Sequence, residues 1–392
     1  MSKYLNIISF NIPFPANYGG VIDVFFKLKA LNECGVKIIL HTFEYGRAHA
    51  DELNKYCKEV HYYQRKTGLK SQLSKLPYIV NSRKNKELLV NLLKNDYPIL
   101  FEGLHTCYYL NYPELKNRLK LVRAHNIEHI YYKGLFHNTE ISYRNLHKNL
   151  YKKLYMLIES QRLKWFEKRL QCANYILPLS SVETEYFRLK YGDEKTILIP
   201  LFHQNERLEI GNKCNPYVLY HGDLSTPENI RTAHFLIEKI VEKDEQIPWI
   251  IAGMNPDKSI YRAAEKHKNL EIKANLSNPE MKKLISEAAV NILFTNQTSG
   301  VKLKLINSLY QGHYCLVNEK MLNGSGLDDL CVTVPDEPEK TLEVIKEYLL
   351  KDFPETETEK RKQILGEIYD NHKNAKKISG LITPKIPIQF LA

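Results

Sequence analysis

The chain has 392 residues, 43% hydrophobic and 26% charged, an ordinary globular composition that excludes a disordered tail, a collagen and a coiled-coil rod. At ~150 residues per domain it has room for two or three domains. Its 56 Lys and Arg against 45 Asp and Glu leave a net charge of +11; that favours phosphate-bearing ligands, nucleic acid or an anionic membrane face, or marks a merely soluble basic protein.

The uncharged stretch near the N-terminus is broken by Asn6, Asn11, Pro13, Pro15, Asn17, Gly19 and Gly20, so it reads as neither a signal peptide nor a membrane span. Within it, Leu5 to Phe10 reads as a buried strand, and Val21 to Cys34 as a helix ending near Gly35. Val36 to Phe43 is a second strand. Further strands are expected at Val60 to Tyr63, Ile99 to Phe101, Leu119 to Arg123, Tyr175 to Leu179 and Thr196 to Pro200. Phe202 to Pro216 is polar and reads as an interdomain linker. The pattern then restarts with strand Tyr217 to His221, helix Glu228 to Val241, strand Trp249 to Gly253, helix Asp257 to Lys266 and strand Leu270 to Lys273. Helix Pro279 to Ala288, strand Val290 to Phe294, helix Lys302 to Tyr310 and strand Tyr314 to Val317 follow. The tail reads as helical over Glu337 to Leu350 and from Thr356 to about Lys377. Apolar strands alternating with helices predict two tandem, doubly wound α/β units, residues 1–205 and 216–392. Ligands of such sheets bind beyond the carboxyl ends of the strands, and with two sheets the cleft between them is the natural site.

Four loops at such ends hold candidate residues. Asn11 to Gly20 ends in Gly19-Gly20 at the entrance to a helix, a place where backbone amides and the helix dipole can meet an anion. Arg123-Ala124-His125-Asn126-Ile127-Glu128-His129 follows a strand; His125 is placed there either to bind a sugar hydroxyl or act as a base, or as a plain loop histidine. His105 lies in a similar position. Gly222 to Asn229 carries Pro227 near a helix start, as for a helix facing a phosphate or an ordinary capped turn. Thr298 to Leu309 joins Gly300 to Lys302 and Lys304 at a helix N-terminus; lysines there oppose the dipole, and a bound diphosphate would compensate. The alternative is that both lysines are solvated. The basic stretch Gln64 to Lys86, with Leu69, Leu73, Leu76, Tyr78 and Ile79 interleaved, reads either as a solvated face or as a surface resting on anionic lipid. No D-x-D, zinc spacing or nucleophile elbow is present, so no metal site is indicated. The seven cysteines include no C-x-x-C, which fits a reducing, cytoplasmic setting. No RNP, helix-turn-helix or zinc-finger pattern supports nucleic-acid binding.

These segments together resemble the GT-B glycosyltransferases, family 4, of bacterial glycan biosynthesis. Pro13-Phe14-Pro15 with Gly19-Gly20 looks like the N-terminal glycine loop. The run Arg123 to His129, then Glu159, Trp165-Phe166-Glu167 and Leu179-Ser180, looks like one common in bacterial members. Gly222 with Pro227-Glu228-Asn229-Ile230 resembles the opening of the second domain. Gly300-Val301-Lys302-Leu303-Lys304 through Gly312 resembles the donor segment. Two departures stand out. The family's paired donor glutamates would fall at Ser299 and Asn307, and its Arg and Lys after the second-domain glycine near Asp223 and Asn229.

The resemblance implies a hexosyl transfer from a UDP- or GDP-sugar to a glycan or lipid-linked acceptor, with retention, without a metal or other cofactor, in the cytoplasm and at most peripheral to the inner membrane. Positioning and stabilisation of the leaving diphosphate would carry the rate. Lys302 would supply the charge, helped by Lys304 and amides around Gly19, Gly20, Gly222 and Gly300. His125 would hold the sugar and Asn307 the ribose. The alternative is a catalytically degenerate sugar-nucleotide-binding partner subunit.

Overall fold

The computed structural model describes residues 3–72, 74–138, 146–211, 214–296, 300, 302–335 and 337–383. It forms two compact units: the chain up to Gln204 together with Tyr369 onward, and Asn205–Ile368.

The first unit holds β1 (Lys3–Ser9), α1 (Gly19–Glu33), β2 (Val36–Glu44), β3 (Glu59–Gln64), α2 (Leu69–Gln72), α3 (Tyr78–Asn81), α4 (Lys86–Leu92), β4 (Ile99–Glu102), β5 (Lys120–Ala124), α5 (Glu128–Asn138), α6 (Leu146–Glu167), β6 (Tyr175–Pro178) and α7 (Ser181–Tyr191). Its six strands are parallel in the order β3-β2-β1-β4-β5-β6. Adjacent strand residues bury opposite faces. Ile8, Phe101, Val122 and Ile176 enter one core with Leu163 and Phe166 of α6. Their neighbours Ile7, Leu100, Leu121 and Leu177 enter the other with Val24 and Leu28 of α1. This double burial is why these strands read as continuous apolar runs.

The second unit repeats the plan with β7 (Asn215–Asp223), α8 (Pro227–Lys239), β8 (Trp249–Met254), α9 (Lys258–Ala264), β9 (Leu270–Ala274), α10 (Asn278–Glu287), β10 (Ala288–Leu293), α11 (Leu303–Gln311), β11 (Tyr314–Val317), α12 (Glu319–Leu322), β12 (Val332–Thr333), α13 (Pro338–Leu349) and α14 (Glu355–Ile368). Its order is β12-β11-β10-β7-β8-β9. Counted from its own first strand, each unit therefore has the order 3-2-1-4-5-6. The strand order reverses between β1 and β4 in one unit and between β7 and β10 in the other, the switch points where such sheets bind ligands. Caps set the helix starts: Thr226 accepts from the Asn229 amide ahead of Pro227, and Ser277 with Glu280 forms a reciprocal capping box.

Three expectations are corrected. Thr196 to Pro200 makes one isolated bridge, Ile176 with Thr196, and no strand, because Arg123 takes the Ile199 and Pro200 carbonyls. Phe202 to Pro216 holds the boundary between the units, at Gln204/Asn205, as a linker should, but it is shorter than expected and packed. Phe202 is buried, the Glu209 amide donates to the Tyr310 carbonyl at 2.8 Å, and β7 already starts at Asn215. The last helix is two: Asp370 caps a new one, α15 (Asn371–Leu381). Its Ala375 and Ile378 close the core against Val24 and Leu28, so this end of the chain belongs with the first unit and not with the second.

Candidate functional site

In the first unit the ends of β1, β4 and β5 surround a buried charge cluster. Asp23 and Lys27 stand one turn apart on α1, Glu102 ends β4 and Arg123 is the penultimate residue of β5; all four side chains are wholly buried. The Lys27 Nζ lies 2.8 Å from Asp23 Oδ2 and 2.9 Å from Glu102 Oε1. Arg123 grips Asp23 with Nη2 to Oδ1 at 2.8 Å and Nε to Oδ2 at 3.1 Å. The Phe202 amide also donates to Asp23 Oδ1, at 2.9 Å. Burial alone would raise the Asp23 carboxyl, but Arg123 and Lys27 outweigh it and hold it well below its ordinary range. For Glu102, Lys27 and His125 likewise overcome burial and lower it.

His125 joins this cluster. Its Nε2 is 3.1 Å from Glu102 Oε2 and 3.9 Å from Asp23 Oδ2. A carboxylate only accepts, so Nε2 carries a hydrogen and Nδ1 is the ring nitrogen left to meet a ligand hydroxyl. Phe10 packs edge-on to this ring at 5.6 Å and against His105 at 5.5 Å. Asp23, Glu102 and His125 have ligand atoms within 4.8 Å of one another. The Lys27 ammonium already bridges the two carboxylates, so the positive charge this trio needs is covalently supplied.

Gly19 and Gly20 open α1 but differ. A Cβ on Gly19 would meet nothing within 4 Å, whereas on Gly20 it would come 2.7 Å from Phe10 Cζ. Gly20 thus makes room for Phe10. Gly103, at φ 71, makes room for His105: a Cβ there would sit 2.8 Å from Nδ1. Burial, then Arg83, lowers His105 well below the usual histidine range, so its ring is neutral near pH 7. Beside it, burial and then Glu167 push the Glu128 carboxyl up to about 8. Glu128 and Glu167 line a small pocket with Leu104, Val122 and Phe187. Glu167 is tied to His129 at 3.1 Å, to Tyr186 at 2.7 Å and to Lys190.

The basic stretch Gln64 to Lys86 is only partly a surface. Ile79, Val80 and Arg83 are buried, and the Arg65 guanidinium lies over Tyr45 at 4.3 Å and Tyr78 at 5.3 Å. Lys66, Lys75, Lys84 and Lys86 are exposed. The side chain of Leu69, and Leu73 altogether, lie outside the described residues.

In the second unit Gly222 is the penultimate residue of β7, and Asn229 folds over it with Nδ2 donating to the Asp223 carbonyl at 2.9 Å. Glu228 accepts from Thr295 and, at 3.1 Å, from the Asn296 amide, so it ties the two loops that flank the switch point. Gly300 takes a left-handed φ of 69. Lys302 is the N-cap of α11, with no side-chain cap on the first turn and its Nζ donating to the Gly300 carbonyl at 3.1 Å. Lys304 turns inward: Nζ donates to the Phe294 carbonyl at 3.1 Å and rests 5.1 Å over the Tyr220 ring. Burial drops its pKa to about 8, with Glu228 opposing the drop and Lys302 adding to it. Lys304 is therefore not the solvated lysine that the sequence leaves open. Asn307 accepts from Asn205 at 2.9 Å. Ser299, Thr298 and Val301 lie outside the described residues.

Sequence reading singled out His125, Lys302 and the glycines, named Arg123 and Glu228 within their loops without a role, and missed Asp23, Lys27 and Glu102 as parts of a cluster. The available signal was a charge interrupting or ending an apolar run: Asp23 and Lys27 four apart amid Val21 to Leu28, and Glu102 and Arg123 at strand ends.

No protein-family model matches the chain. An uncharacterized 44.6 kDa protein in the cps region of Klebsiella pneumoniae is 28% identical over 338 residues, 83% of this chain and 79% of that protein. Among solved structures, TarM superposes with a TM-score of 0.65 at 11% identity, over 98% of this chain and 99% of TarM. HepE of Anabaena, in complex with UDP and glucose, gives 0.64 at 10% identity, over 98% and 100%. The catalytic domain of starch synthase IV from Arabidopsis thaliana, bound to ADP and acarbose, gives 0.59 at 11% identity, over 97% and 99%. With its two six-stranded parallel sheets and C-terminal helices, the chain has the α/β fold of the GT-B glycosyltransferases.

Proposed function

We propose that the chain is a family 4-like, retaining, metal-independent glycosyltransferase. It would move a hexose-type sugar from a UDP- or GDP-sugar to a hydroxyl of a glycan or lipid-linked acceptor. The observation that carries this reading is the N-terminus of α11 beside the β7–β10 switch point, where Lys302 is an N-cap residue that makes no side-chain cap and Lys304 stands on the first turn. It offers first-turn amides and the Lys302 ammonium to a diphosphate. In the transfer, the acceptor oxygen bonds to the anomeric carbon, the bond from that carbon to the diphosphate oxygen breaks, and the acceptor proton leaves on the diphosphate. Lys302 and the amides stabilise the charge that builds on the leaving oxygen. Lys304 contributes a second, half-withdrawn charge and Asn307 a ribose contact, with the amides of Gly222 and Gly300 alongside. On the first unit, which takes the acceptor near Gly19 and Gly20, His125 holds a sugar hydroxyl through Nδ1, its ring fixed by Glu102.

Peripheral membrane contact is part of the proposal. Among the described residues no helix is long and apolar enough to cross a membrane. On α6, however, Tyr151, Leu154, Ile158 and Trp165 are exposed at helical spacing beside the exposed Lys164 and Lys168, a face suited to an anionic bilayer surface.

The test is calorimetric titration of UDP- and GDP-sugars with a donor-hydrolysis and transfer assay alongside. Saturable binding with turnover supports the transferase. Binding without turnover supports the alternative, a degenerate sugar-nucleotide-binding subunit, which the uncharged Asn307 favours. Absence of binding overturns both.

A further inference from the structure

Arg83 is 4% exposed. Its Nε donates to the Phe10 carbonyl at 2.9 Å and its Nη1 to the Ile79 carbonyl at 2.6 Å, while among the described residues Nη2 meets no acceptor. Among the described residues Arg65 uses only Nε, on Ser82 Oγ at 3.0 Å. Among the described residues neither arginine pairs with a carboxylate. Arg118 shows what saturation looks like. It too lacks an acidic partner, but Nε, Nη1 and Nη2 all donate, to the carbonyls of Tyr97, Leu92 and Asn95. Arg83 therefore retains donor capacity that the fold does not use.

What surrounds Arg83 is also unsatisfied. Among the described residues His105 Nδ1 and Glu128 Oε1 are buried without a hydrogen-bond partner and lie 3.8 Å apart. Phe10, whose carbonyl Arg83 holds, packs on His105. Arg83 and Arg65 thus gather with His105 and Glu128, whose carboxyl burial raises to about 8, at the carboxyl end of β1, and among the described residues neither guanidinium forms an ion pair. An uncompensated buried charge is costly, and a ligand carrying the opposite charge removes that cost. Guanidinium edges match two oxygens of a phosphate or a carboxylate, and the Tyr45 and Tyr78 rings that flank Arg65 suit a sugar face.

We infer that this cluster binds an oxyanion, phosphate or carboxylate, carried by the acceptor; the acceptor assignment rests on the proposed transferase reading. The glycan or lipid-linked substrate is thereby narrowed to one bearing a negative charge near the reacting hydroxyl.

The experiment is calorimetry on the full chain in a K302A background, which weakens the competing anion site of the second unit. Inorganic phosphate and glucuronate are the probes, without nucleotide. One of the two is expected to bind, and to weaken about tenfold or more in R65Q and again in R83K, for loss of one guanidinium fork. Stronger phosphate binding points to a phosphorylated or lipid-phosphate acceptor, and stronger glucuronate binding to a uronic acid. R65Q keeps the test valid if R83K fails to fold. Failure of both probes to bind, or equal affinity in R65Q and its parent, overturns the site. UDP-sugar binding and hydrolysis are read separately on the R65Q chain: their loss or absence bears on the transferase reading alone.

Discussion

Arg123 and Asp23 meet as a fully buried two-point ion pair, with Nη2 to Oδ1 at 2.8 Å and Nε to Oδ2 at 3.1 Å. The same carboxylate holds Lys27 and the Phe202 amide, so it joins α1, β5 and the segment leading out of the first unit. Asp23→Asn keeps the shape but leaves two buried cations with one carboxylate fewer. The expected cost is about 3–5 kcal/mol of first-unit stability, read by calorimetric unfolding. Because the folded carboxyl is held below its ordinary 3.8, its contribution is complete above about pH 4 and is lost as pH falls below that. A melting temperature unchanged by Asp23→Asn would mean that the cluster is not structural.

Buried histidines, His41, His203 and His221 among them, set a second pH dependence. Burial, chiefly, depresses His41 and His221 from 6.5 to about 3 and His203 to about 4. The unfolded chain therefore binds more protons below pH 6.5, and stability falls as pH drops. Each group should cost about 2 kcal/mol between pH 7 and pH 5. His221 donates to or accepts from Ser308 Oγ at 3.0 Å, a bond glutamine can replace. His221→Gln should flatten the acid slope of the second unit and leave that of the first. Identical slopes in both chains would show that His221 does not carry this effect.

The sheets were legible because their strands are apolar on both faces, as Ile7 and Ile8 show by entering opposite cores. The false strand at Thr196 to Pro200 has the right composition, but its carbonyls are claimed by Arg123, a residue over 70 positions earlier in the chain. Likewise α15 closes a core built around α1, and nothing local in either segment announces the other. The positions of Gly19, Gly20, Gly222 and Lys302 at strand ends and helix starts were readable from spacing. The ionic cluster was not, because Asp23, Glu102, Arg123 and His125 become neighbours only through the strand order.

Gly19 and Gly20 make opposite predictions. Gly19→Ala meets open space and adds a better helix former, so it should be neutral or stabilising by up to about 1 kcal/mol. Gly20→Ala drives a methyl against Phe10 and through it disturbs His105 and His125, at about 1–3 kcal/mol. Paired thermal melts decide it; equal effects would remove Phe10 as the reason for Gly20.

Lys302→Ala should lower transfer turnover by about two to three powers of ten, the usual effect of removing one electrostatic donor to a developing anion. Initial rates at saturating donor are the measurement. A rate within twofold of the parent would take Lys302 out of the mechanism.

Lys304 separates stability from binding. Its pKa falls from 10.5 to about 8 because burial strips water from the ammonium, so below pH 8 the folded protein bears the whole cost of that charge. Between pH 8 and 10.5 the unfolded chain holds the proton more firmly, and stability rises with pH. Lys304→Met removes the charge and keeps the packing over Tyr220. It should raise second-unit stability at pH 7 by on the order of 2–3 kcal/mol, an advantage that shrinks toward pH 10. If the charge is retained for the diphosphate, the same variant should bind UDP at least tenfold more weakly, since a stabilising loss at a binding site is repaid in function. Stabilisation with unchanged UDP affinity would leave Lys304 as a fold-level feature and place the whole electrostatic role on Lys302 and the amides of α11.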